Sequence, residues 1–351
     1  MYTILLTGGT GYIGSHTAAL LLEKGYRVIL LDSLVNSSIK VIDNLKSIFH
    51  ESNYEKSNLL SFKNCDIRNF YLLDNIFLEE IKKGNPIDAV IHFAGLKSVV
   101  ESVIDPIKYW DVNLGGTINL IKVMEKRNCR TLVFSSSAAI YSPKVNSLIS
   151  ENDIIMPSSP YGFTKLAVEN LLKNLNQNNL KQNWRIASLR YFNPIGAHSS
   201  GLIGEDPAQK PTNIFPVLCE VALNKNKILE VFGNDWPTDD GTCERDFIHV
   251  MDLAEAHLAA TKYLFHNNPQ YVNLNIGTAK KTSILELIKI FNEVNKCEIR
   301  YKYSERRNGD LSSVVANNEL AIKLLDWEPF RDLKQMCIDG WKWKSYSNQL
   351  Y

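Results

Sequence analysis

Residues 7–15 read TGGTGYIGS and follow directly on the apolar run at residues 2–6. Gly8, Gly11 and Gly14 recur at every third position, with one more residue between the first two than in the standard G-x-G-x-x-G pattern. The first glycine permits a tight turn, the second lets backbone approach a pyrophosphate, and the third lets the next helix pack on the strand. Phosphate then lies at a helix N-terminus, where unpaired N–H groups favour negative charge. The stretch therefore predicts a dinucleotide-binding turn.

The segment after this loop indicates which dinucleotide to expect. A helix is predicted over residues 12–24, because Lys24 in its last turn is followed by Gly25. The next apolar run, residues 27–31, stops at Asp32, about twenty residues past the loop. A carboxylate at the end of the second strand accepts hydrogen bonds from both ribose hydroxyls of adenosine and repels a 2′-phosphate. The sequence therefore predicts NAD rather than NADP.

Apolar runs of strand length alternate with longer amphipathic stretches through the first half of the chain. They cover residues 4–7, 28–31, 60–63, 89–93, 131–135 and 186–190. Strands that are buried on both faces and joined by helices form a parallel, doubly wound sheet. The fold class expected is therefore α/β. We predict a Rossmann-type NAD-binding domain over residues 1–192, to which residues 246–264 return, and a smaller C-terminal α+β substrate lobe over residues 193–351.

Composition and charge exclude several classes of function. The formal net charge is +1, so no basic excess indicates a nucleic-acid partner. The six cysteines include no C-x-x-C pair and no histidine at ligand spacing, which predicts reduced thiols and no metal site. No run approaches about eighteen apolar residues, and no basic segment precedes an apolar stretch at the start. We therefore expect no membrane partner and a cytoplasmic location.

Three polar residues have the types and spacing of a proton-transfer group. Tyr161 and Lys165 are four residues apart in the strongly helical stretch SSPYGFTKLAVENLL, so they share one helix face. A phenol with a pKa of about 10 acts as a base near neutrality only with electrostatic help, which a nearby ammonium supplies. The predicted fifth strand runs into Ser135, Ser136 and Ser137, where ligands of open α/β sheets bind. We predict that Ser137 completes the catalytic group, whereas Ser135 and Ser136 fit an ordinary strand-end turn.

These features resemble the extended short-chain dehydrogenase/reductase superfamily, which combines a GxxGxxG loop, a strand-end serine and Tyr-x-x-x-Lys. Longer strings make the chain similar to the UDP-glucose 4-epimerase family. In order they are TGGTGYIGSH, CDIRN (65–69), VIHFAGLKSV (90–99), FSSSAAIY, SPYGFTK, LRYFNPIGAH (189–198), GEDP (204–207), FGNDWPTDDGT (232–242), RDFIHVMDLA (245–254) and RRNGD (306–310). The resemblance implies an isomerase that interconverts UDP-glucose and UDP-galactose through a 4-keto intermediate with resident NAD. It also implies a homodimer formed through helices of the first domain.

The resemblance implies the residues that contact the cofactor. Tyr12 and Ile13 would contact the pyrophosphate, Asp66 would accept from the adenine amine, and Lys97 would lie near the nicotinamide half. Small residues such as Gly95 admit backbone close to a ligand. The implied set is Gly8, Gly11, Tyr12, Ile13, Gly14, Asp32, Ser33, Leu34, Val35, Asn36, Ser37, Asp66, Ile67, Phe93, Ala94, Gly95, Leu96, Lys97, Asn113, Ser137, Tyr161, Lys165 and Phe192.

The same resemblance implies the residues that contact the UDP-sugar. Arginine offers a planar fork for diphosphate oxygens, Asp310 would accept from ribose hydroxyls, and Phe232 would lie against uracil. Arg306 is interpreted as a surface ion-pair partner. The implied set is Ser137, Tyr161, Asn193, Asn213, Ile214, Glu230, Val231, Phe232, Arg245, Arg307, Asn308, Gly309, Asp310 and Val314.

Two positions depart from the family pattern. Ser142 follows Tyr141 where the family usually has glycine, and Val314 stands where members that admit only unacetylated sugars tend to have tyrosine. The hypothesis is that Val314 leaves room for an N-acetyl group, which would extend activity to UDP-N-acetylhexosamines.

Four alternatives remain open: another NAD-dependent nucleotide-sugar epimerase, a nucleotide-sugar 4,6-dehydratase, a dehydrogenase that releases NADH, and a non-enzymatic nucleotide sensor. A dehydratase needs an acid and a base beside the serine, where Ala138 and Ala139 stand. Sensors built on this fold commonly lack the tyrosine or the lysine, and both are present here.

Overall fold

A computed structural model describes residues 1–50, 58–142, 148–177, 183–207, 211, 213–224, 226–307 and 309–347. The strands are β1 (Thr3–Thr7), β2 (Arg27–Asp32), β3 (Leu60–Asn64), β4 (Ala89–His92), β5 (Thr131–Ser137), β6 (Arg185–Tyr191), β7 (Asn193–Ile195), β8 (Leu229–Phe232), β9 (Glu244–Arg245), β10 (Phe247–His249), β11 (Gln270–Ile276), β12 (Thr282–Ser283), β13 (Tyr301–Ser304) and β14 (Ser313–Val314). The helices are α1 (Tyr12–Glu23), α2 (Lys40–His50), α3 (Phe70–Lys82), α4 (Val99–Ile104), α5 (Pro106–Tyr109), α6 (Gly116–Lys126), α7 (Pro160–Gln177), α8 (Ile214–Leu223), α9 (Val250–His266), α10 (Ile284–Asn295), α11 (Glu319–Leu325) and α12 (Leu333–Ser347). A π-helical turn (Trp110–Gly115) leads into α6, and a 3₁₀ turn (Ala138–Ile140) follows β5.

Seven strands form a parallel sheet in the order β3-β2-β1-β4-β5-β6-β11. The strand order reverses between β1 and β4, because the chain moves outward first on one side of β1 and then on the other. In such sheets the ligand crevice opens at this switch point, beyond the carboxyl ends of the strands. The prediction of a doubly wound α/β sheet is confirmed, and the glycine-rich loop, the strand-end serines and Asp32 all lie at this edge.

The strand β11 was not predicted from the sequence. It pairs with β6 along its full length, from Gln270 opposite Arg185 to Ile276 opposite Tyr191. The helix α9 precedes it, and its buried Leu258 belongs to the same apolar core as Leu21 of α1. The chain therefore returns to the sheet with one helix and one strand. The boundary at residue 192 stays a prediction.

The remaining elements build a smaller core around α8, α10 and α12. Phe215 of α8 meets Phe291 of α10 edge to face, with ring centroids 5.9 Å apart, and Met336 of α12 is buried in the same cluster. Short strand pairs, β7 with β10 and β8 with β13, border this core. Within the described ranges, no helix is both long and apolar enough to cross a membrane.

Candidate active site

The glycine loop forms a backbone cradle at the start of α1. Gly8 has a φ of 67°, and a Cβ there would lie 2.7 Å from the backbone nitrogen of Ala94. A Cβ on Gly14 would lie 2.4 Å from the Gly8 carbonyl oxygen. Among the described residues, no side chain caps the first turn of α1 at Gly11. The first N–H groups of the helix are therefore available to an anion, and the cradle suits a pyrophosphate.

Asp32 is held in place at the end of β2. Its Oδ1 accepts hydrogen bonds from the Leu34 backbone at 2.9 Å and from the Ser37 hydroxyl at 3.0 Å, and its Oδ2 accepts from the Thr10 backbone at 3.2 Å. Leu34 has a φ of 59°, in the left-handed region. Sequence reasoning missed Thr10, whose hydroxyl lies 2.8 Å from that of Ser37 and which lines the cavity described next.

One cavity of about 580 Å³ runs from the glycine loop and Asp32 to Tyr161 and Lys165, and continues to Asn213. Most of the predicted cofactor residues and five of the predicted sugar residues, two of which belong to both sets, line it: Gly8, Gly11, Tyr12, Ile13, Gly14, Asp32, Ser33, Val35, Asn36, Ser37, Asp66, Ile67, Phe93, Ala94, Gly95, Leu96, Lys97, Ser137, Tyr161, Lys165, Phe192, Asn193, Asn213 and Ile214. Its wall also includes residues that sequence reasoning did not assign, among them Asn44, Arg68, Tyr191, Glu205 and Trp343. Of these, Arg68, Tyr191 and Glu205 lie within the strings CDIRN, LRYFNPIGAH and GEDP quoted above, whereas Asn44 and Trp343 lie in none of them. A glycine cradle, a fixed carboxylate and a continuous cavity together fit an extended dinucleotide.

Asn113 lies behind the cavity wall and holds the loop after β4. The side chain is buried; its Oδ1 accepts from the Leu96 backbone at 2.8 Å, and its Nδ2 donates to the Leu96 carbonyl at 3.1 Å and to the Thr164 hydroxyl at 3.0 Å. It therefore ties this loop to α7. Direct contact between Asn113 and a cofactor stays a prediction, as does contact through Leu34.

Tyr161, Lys165 and Ser137 come together at the carboxyl end of β5. The Lys165 ammonium donates to the Ser135 carbonyl at 2.7 Å and lies 5.9 Å from the centroid of the Tyr161 ring. Burial lowers the pKa of Lys165 to about 8. Burial raises the pKa of the Tyr161 phenol, and a hydrogen bond with Ser137 works in the opposite direction. The Ser137 hydroxyl also accepts from the Ala139 backbone at 3.2 Å, which fixes its orientation.

A polar bridge spans the cavity between the sheet and the smaller core. The Lys97 ammonium lies 2.9 Å from Glu205 Oε1, and the same oxygen accepts from Asn213 Nδ2 at 3.2 Å. The indole N–H of Trp343 donates to the Glu205 carbonyl at 3.3 Å. Lys97 is therefore paired with a carboxylate of the opposite wall.

Four more of the predicted sugar residues, Phe232, Arg245, Arg307 and Asp310, form a second group and do not line the cavity. The Arg307 guanidinium lies 4.6 Å from the centroid of the Phe232 ring and donates to Asp310 Oδ2 at 2.9 Å. Arg245 donates to the Leu311 carbonyl at 2.9 Å, and its Nη2 lies 4.0 Å from Asp310 Oδ1. An aromatic face, two guanidinium groups and a carboxylate are thus gathered together, which suits a nucleoside diphosphate.

Neighbours of this group differ in position. Glu230 is exposed and lies 2.9 Å from Lys302, whereas Val231 is buried in the smaller core. Gly309 has a φ of 84°. Asn308 lies outside the described residues. Arg306 pairs with Asp235 at 2.8 Å on the surface.

Comparison with known proteins identifies the family. Residues 4–277 match the profile of the NAD dependent epimerase/dehydratase family. The chain belongs to this family. A UDP-glucose 4-epimerase of Bacillus subtilis (strain 168) is 44% identical over 342 residues, which are 97% of this chain and 96% of the relative.

Solved structures agree with this membership of the epimerase family. A UDP-glucose-4-epimerase from Stenotrophomonas maltophila, with bound NAD and formylated UDP-arabinopyranose, has a TM-score of 0.93 and 39% identity, with 100% of each chain covered. One from Bifidobacterium longum, in complex with NAD⁺ and UDP, has a TM-score of 0.90 and 37% identity, with 99% of this chain and 100% of that chain covered. The resemblance noted from the sequence is confirmed.

Proposed function

We propose that this chain is an isomerase that interconverts UDP-glucose and UDP-galactose by inversion at C4, with NAD as its cofactor. One observation carries the proposal: a single cavity joins the glycine cradle and Asp32 to Tyr161, Lys165 and Ser137, and continues to Asn213. Relatives that are UDP-glucose 4-epimerases, and solved structures that hold NAD with UDP or a UDP-sugar, support it.

Each catalytic residue has a distinct task. NAD, when bound in the cradle, supplies an acceptor that takes the hydride of sugar C4 and returns it to the opposite face. Tyr161 removes the proton of the 4-hydroxyl, Lys165 stabilises the resulting phenolate charge, and Ser137 holds the sugar oxygen. The second group, around Arg307 and Phe232, is proposed to hold the UDP while the 4-keto sugar rotates to present its opposite face. Because the UDP stays held, the ketone remains attached to the protein until it is reduced.

The decisive experiment is turnover without added cofactor. Purified protein is incubated separately with UDP-galactose, UDP-glucose and their N-acetyl counterparts, and the products are resolved. Interconversion of the C4 epimers supports the proposal. A 4-keto-6-deoxy product would indicate a dehydratase, and no turnover of any sugar would indicate a sensor. In a parallel incubation to which NAD is added, its stoichiometric reduction would indicate a dehydrogenase.

Val314 is proposed to set the size of the accepted sugar. It packs against an apolar cluster that contains Phe192, which lines the cavity, and Tyr141. We expect Val314→Tyr to slow turnover of N-acetylated UDP-sugars by about tenfold or more, because an added ring fills space that the acetyl group needs. UDP-galactose turnover is expected to change little. Val314→Thr preserves the side-chain size and is the control; equal turnover of the acetylated sugar by Val314→Tyr and the parent would refute the role.

A homodimer is proposed through α4 and α5. Val103, Ile104 and Ile107 are 64%, 78% and 81% exposed, and Phe163 of α7 is 47% exposed. Such an apolar surface on neighbouring helices favours burial against a second copy. We expect light scattering after size exclusion to give a dimer for the parent and a monomer for Ile104→Glu/Ile107→Glu. Tyr71→Glu, which changes an 85% exposed aromatic on α3, is expected to stay dimeric. A monomeric parent would contradict the proposal.

A cytoplasmic location is also proposed. The six cysteines are all free thiols. Disulfides persist mainly in oxidising compartments, so unpaired cysteines support a reducing one.

A further inference from the structure

The helix face that carries Tyr161 and Lys165 continues with Glu169, one further turn along α7. Glu169 is 3% exposed, and its Oε1 accepts a hydrogen bond from the Ser136 hydroxyl at 2.5 Å. Ser136 therefore has a partner inside the protein, although the sequence suggested only a strand-end turn. Residues at positions i, i+4 and i+8 lie on the same face of a helix, so Glu169 lies one turn beyond Lys165 on the face that carries Tyr161.

Arg190 of β6 pairs with this carboxylate. Its Nε donates to Glu169 Oε1 at 3.0 Å and its Nη2 to Oε2 at 2.7 Å, a two-point pair between residues 1% and 3% exposed. The Nη1 of the same guanidinium donates to the Tyr141 hydroxyl at 2.7 Å and to the Glu151 carbonyl at 3.1 Å. Both carboxylate oxygens are thus occupied, and the arginine is satisfied on its far side. Burial of an ion pair costs free energy because both charges lose their hydration. A functional role would account for the presence of this pair.

The charge of Glu169 also acts on Lys165, as it does on Tyr141 and Tyr271. Burial lowers the pKa of Lys165 to about 8, and Glu169 opposes that shift. His92 of β4 is neutral near physiological pH, because burial lowers its pKa to about 3. Burial raises the pKa of Tyr191 of β6 far above the ordinary value, so it is neutral as well. From β5 the lysine meets only a carbonyl and the ring of Phe134. Among these described neighbours, Glu169 is the carboxylate whose charge raises the pKa of Lys165 against the lowering caused by burial.

We propose that Glu169, held by Arg190 and Ser136, is a positioning residue for the proton-transfer pair: its buried negative charge keeps the Lys165 ammonium protonated and seated on the Ser135 carbonyl. Through Lys165 it sets the pH range in which Tyr161 exchanges a proton with the sugar. The kinetic consequence rests on the proposed function, whereas the effect on Lys165 is a property of the chain itself.

The test removes the charge and preserves the shape. Glu169→Gln eliminates one negative charge beside Lys165, so we expect the pKa of Lys165 to fall by about one unit or more. The readout is the ε-carbon NMR shift of Lys165 against pH, assigned by its absence from Lys165→Met. Glu169→Asp, which restores the charge, is expected to bring the titration back toward that of the parent.

Asp252→Asn is the matched control. Asp252 is also a fully buried carboxylate bonded to an arginine, Arg331, but it does not line the active-site cavity. Asp252→Asn also removes a buried negative charge that is paired with an arginine. The pKa of Lys165 is expected to stay at the parent value. A shift in this control as large as that in Glu169→Gln would overturn the proposal.

The kinetic readout is the pH profile of kcat. Removal of a negative charge favours loss of a proton from both Tyr161 and Lys165. In a bell-shaped profile, both the acidic and the basic limb should therefore move to lower pH by about one unit. A merely structural defect would lower the rate without moving the limbs. If Glu169→Gln does not fold, Glu169→Gln/Arg190→Gln avoids the unpaired guanidinium and is expected to move the lysine titration in the same direction.

The outcomes separate the two proposals. An unchanged Lys165 titration in a folded charge-removing variant overturns the positioning role. A shifted titration in a chain that does not epimerise UDP-sugars sustains the positioning role and refutes the proposed function.

Discussion

Tyr161→Phe is expected to fold, to retain NAD and to epimerise about a thousandfold more slowly than the parent, or slower still. The phenylalanine ring preserves the packing beside Lys165, whose ammonium lies 5.9 Å from the ring centroid, and removes only the oxygen that accepts the substrate proton. The measurement is kcat at saturating UDP-galactose, together with the NAD released on denaturation of the purified variant.

Tyr263→Phe provides the control for this result. Its hydroxyl donates to Gln270 at 3.1 Å, and the residue does not line the cavity. The control should therefore keep the parent rate. Near-normal turnover by Tyr161→Phe would remove this phenol from the mechanism.

Gly14→Val is expected to weaken binding of the dinucleotide, so that most of it is lost during purification. A Cβ at this position meets the Gly8 carbonyl oxygen at 2.4 Å, a backbone atom that yields only if the whole loop moves. An overpacking cost of about 3 kcal/mol placed on the loop corresponds to roughly a hundredfold loss of NAD affinity. The measurement is the NAD content of the purified protein and the Kd from titration.

Gly25→Ala is the control for this result, because it replaces a glycine that lies outside the cofactor loop. Gly25 has a φ of 81° and no atom within 4 Å of an added Cβ. Its substitution should cost about 1 kcal/mol in the free energy of unfolding and leave NAD bound. A Gly14→Val protein that carries a full complement of NAD would show that the loop does not hold the pyrophosphate.

Local signals in the sequence determined much of the fold and the centre of the site. The apolar runs before the glycine loop, Asp32 and the serines are buried on both faces, and their unbroken apolar residues and short length identify them without any distant contact. Tyr161 and Lys165 were found because helical spacing alone brings them together. The position of Ser137 beside them follows from the rule that parallel strands end at the same edge.

Long-range partners were beyond local reasoning. The strand β11 reads QYVNLNI after Asn267, Asn268 and Pro269, so its polar residues and the preceding turn signal look like a loop. One of them, Asn275, is fully buried and has partners from elsewhere in the chain: it accepts from the Tyr141 hydroxyl and donates to the Ile149 carbonyl. Pairing with β6 establishes the strand. Glu169 and Arg190 likewise read as ordinary charges in a helix and a strand. Only the packing of α7 against β5 and β6 reveals that they are buried together.

The late return of β11 has a consequence for synthesis of the chain on the ribosome. When β6 has emerged, one side of it still offers free N–H and C=O groups from Arg185 to Tyr191, and its partner is not yet made. An open edge of this kind is a template on which other nascent chains can add a strand. Throughout the interval between the two strands this side of β6 is open to such pairing, and arrival of Gln270 to Ile276 covers it.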